Sequence, residues 1–501
     1  MRDKNHLIML LYYIIIIVLL FVIVISFRYP GSNLSSFSMI MTSVICLVVF
    51  MLLCRWWERI YIRVEKIEPY VYYLLLFLLG GMLFFVCSSR STLHTNTLAD
   101  YTVLYHTAGE FADGRMPSES SYYFNYFSNY DNNLRPMLML SWLFKAADLI
   151  QVSRFHFVLF WVCLQVIGVA WGMGILVSKK ENREWRLPTL LLFSLMLPMW
   201  CFSAVFYTDT MSMGLAVIAM AIVKVIYERQ LDRCRDKKNI CTFALLILLA
   251  SILVALATVW KVTAIIPLIA FVMASILCKE KRFIKIEVLL LIGSISVGGL
   301  FSGIFNTYSI VQETKNTSDP LISWVAIGMK GNGTWGENSD FVHELHERED
   351  TSAKLEFTKA YILENIDSFW DVDHILRKAC RNFADGNLEA YIFTPVEDDG
   401  SVIWSMFNAW GKWSWRVSQV NFCYLEMIYL TLFLGAVVSL YQLYKGNKSD
   451  LLLLSTHISF LGIFIFLMMW EANSRQLYNQ MPMLILGEML FVQKVFDCKR
   501  D

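Results

Sequence analysis

A chain of 501 residues would ordinarily divide into roughly two to four soluble domains. Its composition excludes that: 57% of the residues are hydrophobic, only 17% are charged, and the mean hydropathy is +0.51. A soluble chain carries about 25% charge, so this one has too little polar surface to coat a core. With several windows of about twenty apolar residues it reads as an all-α polytopic membrane protein, and a net charge of +1 argues against a nucleic-acid partner.

The first apolar run, Leu7 to Phe27, is long for a signal-peptide core and no small-residue cleavage site follows it, so it reads as a retained span. Further apolar windows fall near 37–54, 70–88, 134–151, 155–178, 187–207, 209–227, 241–260, 262–278, 286–305, 423–443, 451–470 and 475–493. The basic stretches are Arg55/Arg59/Arg63/Lys66, Lys179/Lys180/Arg183/Arg186, Arg229 through Lys238, Lys279 through Lys285, and Lys494/Lys499/Arg500. All of them face the cytoplasm together, with both termini, if one window fails to cross. The window 134–151 is the one to give up, because it opens with Arg135-Pro136 and carries Lys145 and Asp148. It is expected to be a re-entrant or interfacial helix, leaving about 12 crossings of a cell membrane. The resulting organisation is an N-terminal transmembrane module, 1–306, with a first outer loop at 89–133. A large extracytoplasmic loop at 307–422 and C-terminal transmembrane helices at 423–501 follow. The cysteines lie mostly in or beside apolar runs and nothing reads CxxC, so neither a disulfide nor a zinc framework is expected.

The residues that could carry chemistry gather in the outer segments. Asp100 opens the first outer loop a dozen residues after a span; such an acid is either solvated or, if desolvated, a base for a hydroxyl acceptor. The Tyr122–Tyr130 cluster, followed by Asp131-Asn132-Asn133, reads as an interfacial belt or as a sugar site. In the second reading aromatic faces meet C–H faces and Asn side chains supply paired donors and acceptors. Tyr207-Thr208-Asp209-Thr210 sits between two apolar windows with almost no loop. An acid that close to hydrocarbon is a functional candidate, while the plain alternative is a helix N-cap. Lys261 and Arg475 stand at outer helix ends, where they either grip a phosphate or snorkel to headgroups. The run Gly331 to Asp340 is a shaped loop whose acids Glu337 and Asp340 are taken as substrate contacts. His343-Glu344-Leu345-His346 lacks the HExxH spacing and Asp371-Val372-Asp373 is too short a match, so no residue is assigned to a metal.

A span, an outer loop opening with Asp100, then Tyr130-Asp131-Asn132-Asn133 and a helix together resemble bacterial GT-C glycosyltransferases. The closest group is the protein-O-mannosyltransferase and aminoarabinose-transferase group, whose loop carries Tyr-Pro-Asn-Asn where this chain has Asp131 in place of proline. Tyr207 to Thr210 resembles that group's second outer acidic turn, and Asn473-Ser474-Arg475 the motif before its last span. The resemblance implies a sugar donor on polyprenyl phosphate and a glycan, lipid or protein acceptor, with membrane lipids around the chain. It also implies an inverting transfer on the outer face. Asp100 would be the base, Asp209 an auxiliary acid or substrate contact, and Arg475 with Lys261 would hold the leaving phosphate; Tyr207, Tyr130, Asp131, Asn132 and Asn133, with Glu337 and Asp340 of the large loop, are expected as further substrate contacts. No cofactor is assigned, and a divalent metal and the identity of a second acid stay open, since Asp100 is followed by Tyr101 where many relatives have a second acid.

Two other functions compete. A flippase or transporter of lipid-linked saccharides needs a polar path through the membrane, whereas the spans here look poor in midplane charge. An O-antigen-ligase or polymerase-like enzyme would use His343, His346 and Arg348 in the large loop. No nucleotide-binding glycine motif occurs.

Overall fold

The computed structural model describes residues 2–26, 36–88, 100–115, 122–178, 183–233, 236–394 and 397–497. Outside them lie Phe27, residues 89–99 of the first outer loop, Lys179, Lys180, Cys234, Lys499 and Arg500. Every regular element among the described residues is helical, and the chain is an all-α membrane protein.

Crossing a hydrocarbon layer of about 30 Å takes about twenty helical residues. Nine helices among the described residues are long and apolar enough: His6–Ser26, Ser38–Val64, Glu68–Ser88, Arg154–Val177, Thr208–Glu228, Lys237–Trp260, Lys281–Phe305, Ser414–Tyr444 and Leu451–Met469. Their outer surfaces carry the apolar side chains that a soluble protein would hide, Phe85 and Ile295 being 81% and 74% exposed. The sequence reading expected 12 crossings. Its other three windows hold shorter or interrupted helices: Arg186–Ser194 followed by Pro198–Phe202, then Ile266–Cys278, then Met481–Asp497. The 187–207 window is broken where Pro198 opens a new helix, a position proline takes readily because it has no amide to donate. The 134–151 window forms the helix Leu134–Leu149. It packs on Asp100–Ala112, and Arg154 at the start of the next span pins both helix ends, reaching Asp148 at 2.6 Å and Asp113 at 2.5 Å.

Connectivity gives the bundle two unlike ends. At one end lie Arg55, Arg59, Arg63 and Arg186, with the helix starts capped by Asp236 and Asp450, whose carboxylates accept backbone amides of the first turn. At the other end lie Asp100, the turns at 207–210, 261 and 471–475, and the helical segment Ser309 to Phe407 between two spans. The core between the ends is more polar than hydropathy suggests. Glu287, Glu426, Glu488 and His457 are at most 1% exposed, which corrects the expectation of charge-poor spans. One acid in a twenty-residue apolar window barely moves its average.

At the basic end Arg186 Nη2 meets Glu68 Oε2 at 2.5 Å with Glu68 fully buried, and the guanidinium lies 4.7 Å over the Tyr72 ring. Removing one partner strands a buried charge, which costs about 3–5 kcal/mol. Arg186→Ala should therefore lower thermal stability in detergent strongly, while the double variant Glu68→Gln/Arg186→Met recovers most of the loss. Additive losses in that double-mutant cycle would mean that the pair is not coupled.

Candidate functional site

Three chain turns meet at the non-basic end, and an acid joins them. Asp209 lies in the short helix Thr208–Ser212, which stops at Gly214, a residue with φ of +68°. A Cβ there would come within 2.5 Å of Val169, so both the left-handed backbone and the close approach require glycine. Gln165 Nε2 donates to the carbonyls of Thr210 at 3.0 Å and Met213 at 2.8 Å, bracing the backbone at the break in the helix. The capping alternative does not apply, because no side chain at this start bonds the first-turn amides. The Asp209 carboxylate instead takes Lys261 Nζ on Oδ1 at 2.5 Å and Arg475 Nε near Oδ2 at 3.3 Å. Asn479 Nδ2 donates to Oδ1 at 3.3 Å, Ser212 Oγ donates to Asn479 Oδ1 at 2.8 Å, and Gln480 Nε2 donates to Thr263 O at 2.9 Å. The turns after residues 206, 260 and 473 are thereby one unit. Its cations do not snorkel; they turn inward onto the acid.

Above this unit opens a cavity of about 950 Å³, within the range of small-molecule sites. Asp100, the first residue of its helix, is exposed to it. Tyr207 Oη donates to Asp100 Oδ2 at 3.1 Å, and the Arg475 guanidinium lies 5.0 Å over the Tyr207 ring. Arginine, tyrosine and aspartate therefore form a line along one wall. Tyr130, Asn132 and Asn133 line another part, where Asn133 Nδ2 donates to Tyr126 Oη at 2.7 Å and fixes the amide. Burial among acids pushes the Tyr126, Tyr130 and Tyr207 hydroxyls up, so they stay protonated donors.

Of the residues singled out from the sequence, Asp100, Tyr130, Asn132, Asn133, Tyr207 and Arg475 line this cavity. Asp209 and Lys261 do not; they stand behind Arg475. Asp131 is exposed in the turn before Leu134 and is not part of the lining. Glu337 is also elsewhere: it accepts the Asn332 amide at 2.5 Å and Asn332 Nδ2 at 2.8 Å, stapling the turn of Gly331 and Gly333. Asp340 sits exposed in the first turn of Ser339–His346, where an acid favours the helix dipole. Tyr122's side chain lies outside the described set. No three His, Cys, Asp or Glu side chains group as metal ligands among the described residues.

Sequence reasoning found only part of the opposite wall, which comes from the large loop: it singled out Trp335, Trp410 and His346 but not Trp324, Tyr391, Asn408, Arg381 or Glu389. Trp324, Trp335 and Trp410 line it with Tyr391, Asn408, His346 and the ion pair Arg381–Glu389. Leu388 and Glu389 both have positive φ, +53° and +56°, a conformation that costs a non-glycine residue about 1–3 kcal/mol. Asp385 holds them there, accepting the amides of Asn387 at 3.0 Å and Glu389 at 2.7 Å, and Ser474 Oγ donates to it at 3.0 Å. Burial pushes Glu389 up against the pull of Arg381 and Arg475. His346 Nε2 is 2.9 Å from Asp319 Oδ2, and the buried Lys354 Nζ joins Asp319 to Asn129 Oδ1, each at 2.8 Å. Positive φ at a non-glycine residue and pairings between remote polar positions leave no local pattern to read.

The long apolar helices, the basic end and the polar cavity at the opposite end define a multi-pass integral membrane protein. Over residues 1–496 the chain matches, and belongs to, a family described as "Conserved hypothetical integral membrane protein". No curated protein matches it.

The large loop and the 471–475 turn meet through Ala472 N, which donates to Gly333 O at 2.7 Å, and Trp335 N, which donates to Glu471 Oε1 at 3.3 Å. Burial pushes the Glu471 carboxyl up from 4.5 to about 7. The folded state therefore holds a proton that the unfolded chain has released between those values, and stability falls as pH rises through that window. Melting followed at pH 5 and pH 7.5 should show a smaller drop in Glu471→Gln than in the wild type. Equal drops in both would take Glu471 out of the pH response.

Proposed function

We propose that this protein is an inverting membrane glycosyltransferase that moves a sugar from a polyprenyl-phosphate donor to a hydroxyl of an extracytoplasmic acceptor. The single observation that carries the reading is the wall on which an exposed carboxylate, Asp100, and a cation, Arg475, are held apart by Tyr207 inside one cavity. Such a transfer needs a base for the acceptor and a positive charge for the departing phosphate, at opposite sides of one anomeric carbon. The acceptor oxygen attacks the anomeric carbon as its proton passes to Asp100. The bond from that carbon to the phosphate oxygen breaks on the far face, its electron pair leaves with the phosphate, and the centre inverts. Arg475 faces the growing charge while Asp209 and Lys261 fix its position. The basic stretches at the other end of the bundle argue that the cavity faces away from the cytoplasm, and the ring of Trp324, Trp335, Tyr130 and Trp410 offers flat faces to sugars.

Lipid-linked saccharide transport is the second reading. It rests on the buried Glu287, Glu426, Glu488 and His457, none of which lines the cavity.

The test uses the purified chain in liposomes with a panel of polyprenyl-phosphate monosaccharides, following release of polyprenyl phosphate. Asp100→Asn keeps shape but accepts no proton and should slow release by about 10²–10⁴-fold, with donor binding intact. Glu356→Gln, on an exposed pair with Lys359, should behave as wild type. Full activity in Asp100→Asn would remove the assigned base. Failure of the wild type to release phosphate from any donor, together with passage of a lipid-linked saccharide across the bilayer, would replace the transferase by the transporter.

A further inference from the structure

A second cavity, of about 410 Å³, lies at the basic end between the parallel helices Lys237–Trp260 and Lys281–Phe305. Its mouth is cationic. Lys281 and Lys285 are exposed there, and neither takes part in an ion pair among the described residues. One side is a fixed wall: Arg282 Nε bonds both carboxylate oxygens of Asp232 at 3.0 and 2.8 Å, and its guanidinium lies 4.4 Å over Tyr227, which stacks on Phe283 at 4.0 Å. Arg282 neutralises the acid of the pocket, so the two lysines are left as its free charge. The floor is apolar, made by Phe243, Ile286 and Leu289.

The register on one helix decides what kind of ligand this suits. Lys281, Lys285, Leu289 and Ile292 stand at positions i, i+4, i+8 and i+11, a single stripe about 16 Å long. It runs from charge to hydrocarbon: Leu289 and Ile292 are 46% and 58% exposed, and Leu245 and Leu248 on the neighbouring helix are 63% and 50% exposed. These two helices are among the least buried of the bundle, with 28% and 11% of their apolar windows covered, so the pocket opens onto lipid. A soluble anion needs only the mouth. A phospholipid uses the whole stripe, its phosphate at the lysines and an acyl chain along the leucines and isoleucine.

We infer that this pocket is a binding site for an anionic phospholipid of the leaflet at the basic end, with Lys281 and Lys285 on the headgroup phosphate. The site is separate from the cavity discussed above and stands whether or not that cavity transfers sugars.

The experiment is a thermal-shift titration of the purified full chain in detergent with short-chain phosphatidylglycerol, phosphatidylcholine of the same chain length, and inorganic phosphate. A ligand that binds the folded state alone raises the melting temperature with its concentration. Phosphatidylglycerol should do so at concentrations where the other two have no effect. Lys281→Gln/Lys285→Gln should bind it about thirtyfold more weakly, from the loss of two lysines near the headgroup, and Lys281→Arg/Lys285→Arg should retain it. Lys445→Gln/Lys448→Gln, which removes two exposed cations outside the pocket, should titrate as wild type. An equal shift from phosphatidylcholine would overturn the charge requirement, and an equal shift from inorganic phosphate would make the ligand a soluble anion. Unchanged titration in the double glutamine variant, or an equal loss in the Lys445/Lys448 pair, would dissolve the pocket into diffuse surface attraction. Should the glutamine variant melt early without lipid, the arginine variant still decides: loss of binding there refutes a phosphate held by charge.

Discussion

Everything at the polar end of this bundle depends on one carboxylate shared by two cations. Asp209 is fully buried, and burying a single ion is expensive unless opposite charge and hydrogen bonds surround it. Lys261 and Arg475 supply the charge and Asn479 an amide. Because the acid and its partners come from three separate turns, the electrostatic requirement of one side chain fixes the relative placement of three hairpins of the bundle. Arg475 is what this arrangement presents to the cavity. Its other face lies over Tyr207, whose hydroxyl reaches Asp100, so the position of the exposed acid traces back to the buried one.

The remaining wall is attached rather than built in. Residues between Ser309 and Phe407 reach the turn at 471–475 through the Gly333 carbonyl, the Trp335 amide and the Asp385 carboxylate. The strain at Leu388 and Glu389 is held by the same Asp385. The cavity thus has a floor of membrane-helix turns and a roof carried by the large loop.

What the sequence revealed follows from contrast. Asp209, Lys261 and Arg475 stood out because each interrupts or borders an apolar window, and the structure brings all three together. Asp100, Tyr207 and the two asparagines at 132 and 133 were legible for the same reason, lying just beyond helix ends. Inside the large loop polar residues are ordinary, so Glu389 and Arg381 gave no signal, and Glu337 looked like a ligand when it is the staple of a glycine turn. Hydropathy also measures composition, not continuity. It therefore merged the two short helices around Pro198 into one expected span and passed over Glu426 and Glu488 inside strongly apolar stretches.

The order in which the partners of Asp209 occur along the chain bears on how the protein is made. Lys261 follows the acid by 52 positions, whereas Asn479 follows it by 270, with Arg475 close beside it. As a chain is synthesised from its N-terminus, the acid meets its lysine within the next helical hairpin and enters the membrane already neutralised. The arginine arrives only after the large loop has been completed. The loop's docking partners at 471–475 emerge with it, so floor, roof and guanidinium come together in one late step. A chain that ends between Lys261 and that turn would carry the paired acid but neither the guanidinium nor the docked loop that complete the cavity.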